Sequence, residues 1–152
     1  MKCPVLVIGY GNELRGDDGV GPHVARAVAA RNLTGVEVIR SHQLLPEMAE
    51  RVADARAVIF IDAAVVNDDK GVTVRSVEPE ANDSSMGHTS DPRCLLALAQ
   101  VLYGRRPEAW LVTVPATNLE FGEGLSPTAE RGAAEAERHV MRLLHEERRC
   151  TR

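Results

Sequence analysis

The sequence predicts a three-layer α/β domain. Helices should cover both faces of a mostly parallel, twisted five-stranded sheet, with one antiparallel strand at its edge. Three observations predict it. Pro4-Val5-Leu6-Val7-Ile8-Gly9 and Ala57-Val58-Ile59-Phe60-Ile61 are continuous apolar runs, the pattern of strands buried on both faces. Segments of helical periodicity alternate with these runs, as in a β-α-β chain. Val72 to Val77 alternates in polarity and follows the second run after only about nine residues. A parallel crossover needs a dozen or more, so this strand should run antiparallel and sit at an edge.

The other elements follow in order. Gly21-Pro22 opens a helix, with proline at the first helical position, and Val20, Val24 and Val28 carry its apolar stripe to about Arg31. Gly35 precedes a second strand, Val36 to Arg40, and Pro46 to Ala53 reads as a short helix. Asp62 closes the Ala57–Ile61 strand, and Asn67-Asp68-Asp69-Lys70-Gly71 is a turn cluster. Glu80 to Ser90 is polar and loop-like. Pro92 to Tyr103 is helical, with Leu95, Leu98 and Leu102 on one face. Trp110 to Val114 is the last strand. Ser126-Pro127 is a cap-plus-first-turn pair for a final helix from Thr128 to about Glu147. No repeat or linker divides the chain, so residues 1–152 form one domain.

Composition excludes several classes. The 152 residues are 44% hydrophobic but only 3% aromatic, so the core must be aliphatic. A formal net charge of −4 without a basic stripe argues against nucleic acid and membrane surfaces as partners. No apolar stretch approaches transmembrane length, and the N-terminal run lacks the basic region and cleavage site of an export signal. Cys3, Cys94 and Cys150 are odd in number and far apart, which suits reduced thiols in the cytoplasm better than a disulfide framework.

In open α/β sheets the functional site lies beyond the carboxyl ends of the strands. Gly9-Tyr10-Gly11-Asn12-Glu13-Leu14-Arg15-Gly16-Asp17-Asp18-Gly19-Val20-Gly21 occupies such a position, between a strand and a helix. It begins like a dinucleotide fingerprint, but Leu14 stands where the third glycine belongs. Two aspartates at the positive end of a helix would also repel a phosphate. Neighbouring aspartates cannot easily point the same way. One should face the site, and the other should only stabilise the helix end, by about 0.3–1 kcal/mol. Asp62 follows five apolar residues at a strand end, where a carboxylate is costly unless paired or metal-bound; the bland alternative is a cap on the Ala63 and Ala64 N–H groups. His88 lies in a loop that must return across the sheet. Ten extended residues span roughly 33 Å, enough to bring it to Asp18 and Asp62. His42, at another strand end, is the reserve imidazole. Two carboxylates and an imidazole suit a divalent transition ion, while the aspartates alone could act as an acid–base pair on a peptide bond. The residues by themselves leave that choice open.

The same residues resemble a known family. The Gly9–Gly21 segment is similar to the N-terminal signature of the hydrogenase maturation proteases. Phe60-Ile61-Asp62-Ala63 resembles their second acidic motif, Gly87-His88 their histidine motif, and Gly122-Glu123-Gly124-Leu125-Ser126-Pro127 their entry to the last helix. The resemblance implies a cytoplasmic, aspartic-type endopeptidase that removes the C-terminal extension of a nickel–iron hydrogenase large-subunit precursor after nickel insertion. It implies that Asp18, Asp62 and His88 bind the metal and that Asp18 and Asp62 serve catalysis. The metal is then the substrate's own nickel, replaceable by another divalent ion, and no cofactor is permanently bound. Gly11 and Asn12 of the glycine-rich loop, together with His42, become the expected substrate contacts. Two other readings compete: a nickel-binding chaperone that does not cut, and a small-molecule or nucleotide-binding α/β domain.

Overall fold

The computed structural model describes residues 3–65, 71–80 and 91–149. Five strands form one sheet: β1 (Val5–Tyr10), β2 (Val36–Ser41), β3 (Ala57–Val65), β4 (Thr73–Ser76) and β5 (Glu108–Ala116). Their order is β2-β1-β3-β5-β4. β1, β2, β3 and β5 are parallel, and β4 runs antiparallel to β5 at the edge. The helices are α1 (Val20–Ala29), α2 (Ala49–Asp54), α3 (Pro92–Tyr103) and α4 (Pro127–Arg149).

The aliphatic runs explain the layering. Alternate residues of a strand face opposite sides of the sheet. Val5, Val7, Ile59 and Ile61 pack with α1 and α4 through Val24, Val28, Val140 and Leu144. Leu6, Ile8, Val58 and Phe60 pack with α2 and α3 through Val52, Leu95, Leu96 and Ala99. The predicted architecture is therefore the observed one. Among the described residues, no helix is long and apolar enough to cross a membrane.

The antiparallel edge strand is found as expected, and its partner is β5, which lies between β3 and β4. Two local expectations are corrected. Asp62 does not close its strand: β5 is equally long and keeps pairing from Asp62↔Thr113 to Val65↔Ala116. Leu102 does not share the buried face of α3. The last turn, Val101 to Tyr103, is exposed throughout, and Leu95, Leu96 and Ala99 make the packed face instead. Smaller differences lie at ends: α1 stops at Ala29, and the Pro46 helix begins as a 3-10 turn, Pro46–Met48, that continues into α2.

One close approach fixes where α1 begins. A Cβ on Gly21, in the first turn of that helix, would lie 2.5 Å from the Tyr10 carbonyl oxygen and 2.6 Å from that of Ile61. Only a bare backbone lets α1 start directly against the carboxyl ends of β1 and β3.

Candidate functional site

At the end of β1 the chain turns through Gly11 (φ +147°), where a Cβ would overlap the Asp18 carbonyl oxygen at 1.9 Å. The loop then rises to Arg15 and descends through a 3-10 turn, Gly16–Gly19, into α1. This fold-back lets the Asn12 N–H donate to Asp18 Oδ2 at 2.7 Å. Asp18 is half-buried and stays beside the strand ends.

Asp62 comes to the same rim from the neighbouring strand. The β1–β3 register pairs Gly9 with Ile61, so Asp62 stands level with Tyr10. Both continue the α2/α3 side of their strands, and the Tyr10 hydroxyl donates to Asp62 Oδ2 at 3.1 Å. Burial pushes the Asp62 carboxyl up to about 6, against the hydrogen bonds from Tyr10 and the Ala63 N–H; the Asp18 charge raises it further. The two carboxylates thus act on each other electrostatically across a single rim. Burial, and then the Asp62 charge and hydrogen bond, drive the Tyr10 phenol far above its ordinary range, so it stays a donor. Asp91, the N-cap of α3, stands close enough to add to that effect. Tyr10 lies within the glycine-rich motif, yet motif and spacing assign it no role. A signal for one exists all the same: same face, same level, adjacent strand.

Asp17 points the other way and is fully buried. Its carboxylate accepts from the Ser126 N–H (2.7 Å), the Ser126 hydroxyl (2.7 Å), the Thr117 N–H (2.9 Å) and the Asn118 N–H (3.0 Å). Burial raises its pKa, but these donors outweigh burial and hold the carboxyl below its usual range. Two neighbouring aspartates do diverge, as expected. The buried one is more than a helix-end charge, however: it clasps the loop between β5 and α4 to the loop after β1.

Gly11, Asn12 and the exposed His42 line one groove of about 690 Å³ beside β2. His88 lies outside the described residues. Among the described residues, no three His, Cys, Asp or Glu side chains are grouped so as to hold a metal ion. What is described therefore offers two neighbouring carboxylates, that of Asp62 with an elevated pKa, and a buried phenol donor. That set can exchange a proton near neutral pH and supply two oxygen donors to a cation.

No protein-family profile matches the chain, and no curated protein matches it. Solved structures do. The hydrogenase maturating endopeptidase HybD from E. coli is 24% identical over 95% of this chain and 93% of its own, with a TM-score of 0.70. A hydrogenase 2 maturation peptidase from a Thaumarchaeota archaeon is 25% identical over 93% of this chain and 97% of its own, with a TM-score of 0.69. The [NiFe] hydrogenase maturation protease HybD from Thermococcus kodakarensis is 21% identical over 92% and 98%, with a TM-score of 0.70. The chain thus shares the fold of the family its motifs resemble, over nearly its whole length.

Proposed function

We propose that this chain is a cytoplasmic endopeptidase that removes the C-terminal extension of a nickel–iron hydrogenase large-subunit precursor after nickel has been inserted. The observation that carries the reading is the convergence of Asp18 and Asp62 from two different segments onto one rim, with the Asp62 carboxyl pushed up to about 6. The likeness to solved maturation endopeptidases supports the reaction class.

In this reading Asp18 and Asp62, with His88, contact nickel held in the precursor, and an empty precursor is not engaged. His88 precedes Asp91 by three residues in sequence, and Asp91 stands within electrostatic reach of Tyr10. Asp62 also accepts the proton of the water that attacks the peptide carbonyl and passes it to the nitrogen of the departing tail as the C–N bond breaks, which restores the carboxylate. A carboxylate with an elevated pKa is the better base, and at neutral pH it is still mostly ionised. The Tyr10 hydroxyl fixes the orientation of Asp62, as the Asn12 N–H fixes that of Asp18. Gly11 lets the substrate backbone come close.

The test is to mix the protein with nickel-loaded precursor and weigh the large subunit by mass spectrometry. Loss of the C-terminal tail is expected. Tight association without any mass loss would make the protein a chaperone and sink the proposal. Asp18→Asn, Asp62→Asn and His88→Ala should each abolish trimming, and normal trimming by all three would refute the site.

A further inference from the structure

The groove that holds Gly11, Asn12 and His42 runs along the open side of β2. Among the described residues β2 has a strand neighbour on one side only, β1, because it ends the sheet order. An edge strand of this kind offers backbone donors and acceptors to another extended chain. Its six residues correspond to about 20 Å of strand. α1 contributes Pro22 and Arg26 to one wall, and α2 contributes Arg51 to the other. Val38 and Ile39, neighbours in sequence and so on opposite faces, both line the groove, which therefore wraps the strand's edge.

The charges of this groove are unequal. Arg26, Arg40 and Arg51 line it, whereas Glu13 is its one acidic lining residue among the described residues. Arg26 is paired with Glu13 at 2.7 Å and Arg51 with Glu37. Arg40 is exposed and has no ion-pair or hydrogen-bond partner among the described residues. The upper end of the groove is Gly11 and Asn12, and the Asn12 N–H is the group that holds Asp18. The groove thus ends at a residue bonded to Asp18.

We propose that β2 is a docking strand for the segment of substrate that is cut away. The segment adds an antiparallel sixth strand to the sheet, running from the Ser41 level toward Val36, with Arg40 engaging its carboxylates. This inference rests on the endopeptidase reading, because the occupant is the released tail. The direction follows from placement: the bond to be cut lies at the carboxyl rim, so the chain beyond it must leave down β2. The contacts follow from position: the tail's terminal carboxylate lies toward or beyond Val36, so Arg40, next to Ser41, meets acidic side chains of the first residues past the cut, while β-addition itself draws affinity from the main chain with little demand on sequence.

Hydrogen exchange reads the proposal directly. The probes are the nickel-loaded large-subunit precursor and the same subunit with its tail deleted, each added to the intact protein. The outward amides of β2, Val38 and Arg40, should slow at least tenfold with the precursor and remain unchanged with the tail-less subunit. In trimming assays, Arg40→Glu should raise KM at least tenfold with kcat within twofold, and Arg40→Lys should restore most of the loss. Unchanged β2 exchange at saturating precursor overturns the proposal, as does equal slowing by the tail-less subunit or an unchanged KM in Arg40→Glu. The two readings fail separately. Trimming without β2 protection removes the docking strand and leaves the endopeptidase. Tail-dependent β2 protection without trimming leaves the docking strand and removes the endopeptidase.

Discussion

Asp17 and Asp62 belong to the same rim and have opposite surroundings. Asp17 is wholly buried, yet four main-chain and hydroxyl donors hold its carboxyl below the ordinary range. Asp62 is less buried, has a phenol and one main-chain N–H, and sits near another carboxylate; its carboxyl is pushed up to about 6. Burial raises both carboxyls, and the balance between burial and the donors aimed at each decides the direction. One aspartate is saturated and works as a fastener, while its counterpart is left under-supplied and chemically available.

The contrast can be broken most sharply at Asp17. Asp17→Ala removes the acceptor of three part-buried N–H groups, those of Thr117, Asn118 and Ser126. Stability to urea should fall by about 3 kcal/mol. A loss below about 1 kcal/mol would show that the clasp is not needed.

At Asp62 the expected effect is on the slope of stability with pH. Its folded pKa is raised above the unfolded value near 3.9. The stabilisation linked to its bound proton is complete below about 3.9 and is lost as pH rises through about 6. One such group changes the slope by at most about 1.4 kcal/mol per pH unit. Denaturant melts of Asp62→Asn between those two values should lack this decline, and an unchanged slope would place the elevated group elsewhere.

Ser126→Ala tests the fastener more gently. It removes the hydroxyl that donates to Asp17 and accepts from the Ala129 N–H, but keeps the Ser126 N–H donor. A loss of about 1 kcal/mol is expected in the same melts, as for a lost helix cap.

The smallest effect belongs to Tyr10→Phe. It deletes a donor that lowers the Asp62 pKa, so the carboxyl should titrate higher still by NMR, with little change in fold. A downward shift would contradict the assigned hydrogen bond.

The sequence carried the architecture because its signals are strong ones. β1 and β3 are unbroken aliphatic runs, and the turn before β4 is too short for a crossover. The insertion of β5 between β3 and β4 was not legible, since strand order depends on long-range packing and leaves no local mark. Leu102 misled because helical spacing places a side chain on a face without saying whether the neighbouring layer extends that far. At the site, the pattern identified two adjacent aspartates and could not tell which of them pointed inward. That depended on Thr117, Asn118 and Ser126, about a hundred residues away. The placing of Asp62 beside the first loop was legible from strand polarity, whereas its phenol partner required the β1–β3 register.

The clasp has a consequence for how the chain comes to be made. A polypeptide leaving the ribosome exposes Asp17 almost at once, but its partners appear only when Ser126 has been synthesised. Until then the first loop has an anionic group with nothing to close upon. The clasp therefore cannot close in a nascent fragment: it forms late, with the loop before the C-terminal helix, so that on the proposed reading an interrupted translation product would lack the finished site.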